Sequence, residues 1–350
     1  MDAVRHSIHC FVFAILVAGL ATGCSVATQA APPATSQAVS TAFSQFSPTE
    51  TPEISPTARV EPDAAASPTP GISSTQVSSQ DGMVMVFVPA GEFKMGGSSH
   101  SIDSLPSHVV DLDAFWIDKT EVTNAMFAKF IESSGYVTDA EKAGSSNEYR
   151  TTDEGDYFEE VRGSGWNHPH GEDSNISGLE DHPVVHVSWN DANAYCSWAE
   201  RRLPTEAEWE KAASFSASEG KKYVYSWGNS FDGNRLNFCD ENCSLDYAIQ
   251  FWDDGFAETS PVGSYPLGAS PYGALDMAGN VMEWVADWYG ENYYQNSPLV
   301  NPSGPESGEN RVQRGGAWNT NDYYVSSSSR FGWEPSFTNG AAGFRCALSP

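Results

Sequence analysis

The chain has 350 residues and a formal net charge of −28, with 46 Asp and Glu against 18 Lys and Arg. Such an excess repels phosphate backbones and anionic membrane surfaces, so nucleic-acid binding is excluded as a function class. A hydrophobic content of 40% still allows a substantial core, and an acidic surface stays compatible with hard cations.

The N-terminus reads as an export signal. Arg5, His6 and His9 precede an apolar run from Phe11 to Ala21, long enough for a secretory signal and too short to span a bilayer. The run stops at Ala21-Thr22-Gly23-Cys24, small residues placed directly before a cysteine. This resembles the lipobox of bacterial lipoproteins. It implies a signal peptide over residues 1–23, diacylation of Cys24, and a lipid anchor that holds the chain to a membrane outside the cytoplasm. Residues 24–82 are dominated by Ser, Thr, Pro, Ala and Gln. That composition cannot bury enough apolar surface to offset its ordering entropy, so a disordered tether is expected, roughly 40–45 Å from end to end.

The remainder, residues 83–350, is long enough for one large domain. Thr123 can cap a helix to about Glu132, with Met126, Phe127, Phe130 and Ile131 as its apolar stripe. A second helix is expected over about Asp191–Glu200, burying Ala192, Tyr195, Cys196 and Ala199. A third starts at Thr205, where Thr205-Glu206-Ala207-Glu208 forms a capping box. Long stretches rich in Gly, Asn, Asp, Ser and Trp lie between short β-like runs such as Met83–Val88. The expected fold is therefore α+β with little regular structure, a kind that needs disulfides, metals and polar networks to fix its loops. Cys196, Cys239, Cys243 and Cys346 can form two disulfides in an oxidising compartment, by any of three pairings.

Several segments, in order, resemble the formylglycine-generating enzyme (sulfatase-modifying factor) family. They are Phe87-Val88-Pro89-Ala90-Gly91-Glu92-Phe93-Lys94-Met95-Gly96, Thr120-Glu121-Val122-Thr123-Asn124, and the run from His182 to Ala192 that continues into Arg202–Glu210. Gly273–Trp284, Arg311–Gly316 and Gly343-Phe344-Arg345-Cys346 complete the set. The resemblance implies a C-type-lectin-like α+β fold. It also implies a Cys196–Cys346 bridge, which leaves Cys239 and Cys243 to pair locally.

Active members of that family hold copper(I) between two cysteines after the Gly-Gly pair, because soft Cu(I) wants thiolates where oxygen is activated. Here Thr320 and Val325 stand at those positions, so no copper and no formylglycine generation are expected. By the same resemblance Asn237, Phe238, Asp254 and Phe256 match one calcium site, and Asp276, Gly279, Val281 and Glu283 a second. Carboxylates, an amide and main-chain carbonyls are the oxygens that hard Ca²⁺ takes. His168, His170, His182 and His186 have zinc-like spacing, but His182 and His186 lie inside the family motif before Ser188-Trp189, and zinc is not expected. The stretch from Trp318 to Asn339 is rich in Asn, Ser, Tyr, Phe and Trp, the residues that binding surfaces use. Its Trp318, Asn319, Asn321, Tyr323, Tyr324, Phe331 and Trp333 are expected to line a ligand groove, because in the related fold this segment lines the substrate groove. The expected role is a surface-displayed, non-catalytic binding or scaffolding module, stabilised by calcium and disulfides, for a protein, peptide or glycan ligand. The competing expectations are a sulfatase-modifying oxidoreductase or accessory factor acting on exported proteins, and a purely structural envelope protein.

Overall fold

The computed structural model describes residues 70–97, 102–152 and 155–350. The expected signal peptide, Cys24 and the tether up to residue 69 lie outside them. Two four-stranded sheets carry the fold. In the first, Thr75–Val77, Val84–Val88, Phe115–Asp118 and Ala347–Leu348 lie side by side and antiparallel. In the second the order is Arg330–Trp333, Arg311–Arg314, Met282–Trp288 and Ala342–Phe344, the last pair parallel. Hairpins Gly91–Met95 with His108–Leu112, and Ser145–Thr152 with Gly155–Arg162, extend from this frame. No helix among the described residues is long and apolar enough to cross a membrane.

The ordered fold starts ahead of Met83, where the tether was expected to end. Thr75–Val77 adds an edge strand, and Asp81 is buried with its carboxylate on the Arg201 guanidinium and the Tyr195 hydroxyl. Arg201 also binds Asp118, so one cation fastens the entry of the domain to the first sheet.

The described residues contain four α-helices: α1 Asn124–Ser134, α2 Asp139–Ala143, α3 Trp189–Trp198 and α4 Glu206–Ser214. Thr123 caps α1 and Thr205 caps α4, as their sequences require. The helix α3 begins two residues earlier than expected because Ser188 is its cap and Asp191 closes the box. The single-turn α2, closed by a Thr138–Glu141 box, has too few residues to announce itself by periodicity.

Two larger apolar cores result. One gathers Trp209, Ala212 and Ala213 of α4 with Phe93, Phe115, Met277, Val285 and Val312. The other packs Phe127 and Phe130 of α1 against Tyr195, Trp284 and Phe344 and contains the Cys196–Cys346 disulfide. The second disulfide joins Cys239 to Cys243. Every residue of α4 is buried, charges included. Glu206 is held by Arg330 at 2.8 Å, Glu210 by Arg314 and by Lys222 at 2.6 Å. Lys211 donates to the Pro89 and Gly91 carbonyls at 2.8 and 2.7 Å, and burial pushes its ammonium down to about 8. Asp287, on the central strand, accepts the Glu206 N–H at 2.8 Å, and burial beside the Glu206 charge pushes its carboxyl up to about 8.

Two outcomes follow from these contacts. The Cys196–Cys346 bridge spans 150 residues, so the Cys196→Ala, Cys346→Ala pair should lose about 4–5 kcal/mol in denaturant unfolding in the chain-entropy model. A loss below about 1 kcal/mol would mean the bridge does not restrain the unfolded chain. A buried acid with a raised folded-state pKa adds stability that is full below about 3.8 and gone above about 8. Asp287→Asn keeps the acceptor and removes that loss, so its melting temperature should gain on the parent steadily from pH 5 to pH 9. Parallel pH profiles would show that Asp287 carries no such load.

Candidate functional site

The strand Arg311–Arg314 runs into Gly315 and Gly316, both in the left-handed region with φ of 96° and 71°. A Cβ on Gly316 would lie 2.8 Å from Val325 Cγ1 and 2.9 Å from Thr320 Oγ1. Only glycine fits there, and residues 320 and 325 converge on it from two sides. The Thr320 hydroxyl is already engaged, accepting the Ala317 N–H and donating to the Ala317 carbonyl, each at 2.9 Å. Val325 is fully buried against Tyr225, Leu236, Phe238 and Ala278. A paired hydroxyl and an isopropyl group offer Cu(I) no soft ligand, so the residues present do not fit that metal. The Cys239 N–H donates to the Thr320 carbonyl at 2.9 Å, yet its sulfur is tied to Cys243.

Next to this loop lie the two expected cation clusters. In the first, Asp254 accepts the Phe238 and Phe256 N–H groups at 2.9 Å each. Burial, aided by the charges of Asp240 and Asp253, pushes its carboxyl up to about 7. Asn237 donates to the Glu258 carbonyl at 2.8 Å and to Asn280 at 3.1 Å, while its Oδ1 is buried with no protein partner among the described residues. An amide oxygen and a carboxylate are both oxygen ligands of the kind a hard cation takes. In the second cluster, Glu283 is taken by Arg345 at 2.6 and 2.7 Å and by the Trp209 indole at 2.8 Å. Asp276, at φ 56°, accepts the Gly263 N–H at 2.6 Å. Gly279, also left-handed, would place a Cβ 2.0 Å from the Asn237 carbonyl oxygen, and Val281 is fully buried. Glu121, absent from the expected ligands, joins this group. Burial and the Asp276 charge raise its carboxyl well above the usual range. Its motif was visible in the sequence, but nothing in the spacing ties residue 121 to residues 276 and 283. Among the described residues no three His, Cys, Asp or Glu side chains converge as a metal centre, so a cation at either cluster would draw on amide and main-chain oxygens.

The seven expected groove residues make different contacts. Trp318 and Asn319 border a pocket of about 100 Å³ that also reaches the Ser145–Arg162 hairpin and His170. Asn321 shapes a turn by accepting the Tyr323 N–H at 3.1 Å. Tyr323 and Tyr324 are exposed, ring to ring at 5.0 Å, with Phe331 5.8 Å from Tyr324. Trp333 stacks on Phe337 at 4.7 Å and meets Phe158 of the hairpin edge-on at 5.2 Å.

Of the four histidines, His170 and His186 border the same pocket, and His168 and His182 are not part of its lining. His168 contacts the Ser174 carbonyl at 2.5 Å, and His182 the Thr259 hydroxyl at 3.0 Å. His186 is buried at φ 59° against the Ser146 hydroxyl at 2.9 Å, and burial pushes its imidazole down to about 4. His170 lies 3.2 Å from Glu258, whose hydrogen bond raises its pKa.

Residues 72–350 match the sulfatase-modifying factor enzyme 1-like domain. The chain is 40% identical over 306 residues to a formylglycine-generating enzyme of Streptomyces coelicolor, covering 82% of this chain and 94% of that protein. Its identity to the formylglycine-generating enzyme of Bos taurus is 37% over 283 residues, covering 75% and 74%. Among solved structures, PvdO from Pseudomonas aeruginosa superposes with a TM-score of 0.60 at 24% identity, over 81% of this chain and all of that one. The Treponema denticola variable protein 1 does so with 0.56 at 22%, over 79% and 99%. These two likenesses show the fold. The chain belongs to the sulfatase-modifying factor family, on its α+β, C-type-lectin-like fold of low secondary-structure content.

Proposed function

We propose that this chain is an extracytoplasmic, lipid-anchored binding or scaffolding domain that keeps the fold of formylglycine-generating enzymes without their copper chemistry. One observation carries the reading: the two positions that converge over Gly316 hold Thr320 and Val325, neither of which supplies a thiolate. Calcium is proposed as a structural cofactor, supported by the unpaired Asn237 Oδ1 beside Asp254. A second reading, a sulfatase-modifying oxidoreductase or accessory factor, is favoured by the 40% identity to the Streptomyces coelicolor enzyme.

An assay separates the two. The full chain, given Cu(I), oxygen and a sulfatase-type cysteine peptide, should leave the peptide mass unchanged. Formylglycine in the product would sink the non-catalytic reading and establish the second. For calcium, a chelator should lower the melting temperature and added Ca²⁺ restore it, since a ligand at about 100 times its Kd adds roughly 2.7 kcal/mol to the native state. Asp254→Asn should lose most of that response. An unchanged melt of the parent in chelator would remove calcium from the proposal.

A further inference from the structure

We propose that the cavity bordered by Lys94 and Lys222 binds a tetrahedral dianion, a phosphate either free or as a monoester. Its lining includes neither Thr320 nor Val325, and the inference does not rest on the binding reading above.

Four segments bring Lys94, Gly96, Gly97, Ser107, Lys222 and Ser328 to the walls of a cavity of about 210 Å³. One of its cations is held in place by a closed ring of hydrogen bonds. Glu210 Oε1 accepts the Gly96 N–H at 2.6 Å and the Lys222 ammonium at 2.6 Å, and that ammonium donates to the Gly96 carbonyl at 3.0 Å. One of its three N–H groups is left unused. The ring requires glycine at 96, with φ of 75°, because a Cβ there would lie 2.4 Å from the Ser104 carbonyl oxygen. The other cation is unoccupied. Lys94 is exposed and has no ion pair or hydrogen bond among the described residues.

Charge selects the ligand. Glu210 is shared by Lys222 and Arg314, while Glu206, 3.5 Å from Arg314, is matched by two bonds from Arg330. Lys94, Lys222 and Arg314 thus stand against one carboxylate, a surplus of two positive charges. The crowding is felt at Lys222. Burial pushes its ammonium down against the pull of Glu210, and the charges of Arg314 and Lys94 act in the same direction as burial. An anion in the cavity relieves that repulsion. The chain's net charge of −28 repels anions from afar, but salt screens that field beyond about 8–10 Å, so at contact the local cations decide.

A surplus of two matches a dianion and exceeds what one carboxylate ligand neutralises. Shape agrees, because ammonium groups approach from separate segments and a tetrahedral group presents oxygens in several directions, whereas the two of a carboxylate share a plane. Lysine also suits phosphate as a compact point charge.

The test is calorimetric titration of the full chain, at constant ionic strength, with inorganic phosphate, inorganic sulfate, methyl phosphate, methyl sulfate and acetate. The three dianions should bind at pH 7.5. Methyl sulfate, of the same shape with one charge, and acetate should bind at least about tenfold more weakly. Between pH 5 and pH 7.5 phosphate gains its second charge and sulfate does not, so phosphate should tighten relative to sulfate. A preference for methyl phosphate over inorganic phosphate assigns the site to monoesters, and the reverse assigns it to the free ion. Lys94→Gln should weaken dianion binding about tenfold at an unchanged melting temperature, and Lys94→Arg should retain it. Lys142→Gln makes the same change in net charge outside the cavity and should leave affinity unaltered. Absence of dianion binding at millimolar concentrations, methyl sulfate or acetate binding as tightly, or equal losses in Lys94→Gln and Lys142→Gln overturns the proposal.

Discussion

The shape of the loop after Gly316 depends on one buried guanidinium. Arg314 is fully buried, pairs with Glu210 of α4, and donates to the carbonyls of Ser327 at 2.7 Å, Ser328 at 3.2 Å and Ser329 at 2.8 Å. Arg330, at the far end of the same loop, holds Glu206 one turn earlier on α4. Both ends of residues 315–329 are thus fastened to a single helix by buried ion pairs, with Lys222 as a second cation on Glu210. Removing one partner of a buried pair leaves an uncompensated charge, at a cost of about 3–5 kcal/mol. The ends of the loop are therefore held by contacts that do not involve the side chains at 320 and 325.

A comparable arrangement sits behind the cation clusters. Arg345 binds Glu283 with two parallel hydrogen bonds and reaches the carbonyls of Asp118 and Leu275. Asn280 links the two clusters, accepting from Asn237 at 3.1 Å and donating to Glu121 at 3.1 Å. Carboxylates outnumber cations in this part of the interior. Raised pKa values at Glu121 and Asp276 are the protein's own response, because desolvation favours the neutral form wherever no counter-charge is near.

Much of this was legible in the sequence, and what was not has physical causes. Caps at Thr123 and Thr205 act through residues three positions away, so local reading found them. The disulfide partners and the convergence of 320 with 325 came from resemblance, since no spacing rule links residue 196 to 346. The start of the domain was misplaced because Asp81 sits in a polar stretch and is ordered by Arg201, 120 residues later. The pocket's far wall escaped notice for another reason: the hairpin Ser145–Arg162 is largely polar and pairs with itself, so no alternation of buried and exposed residues marked it.

The Cys196–Cys346 bridge turns most of the functional half of the molecule into a closed covalent ring. Within it lie α4, the central sheet, the Gly315–Gly316 loop and the exposed turn at Phe251. A protease that nicks that turn opens the ring without dividing the molecule, because the new ends remain joined through sulfur. The nicked form gains only the water of hydrolysis, keeps its α4-anchored loop, and separates into two chains only when it is also reduced. Survival after a first cut is then a property of topology rather than of stability.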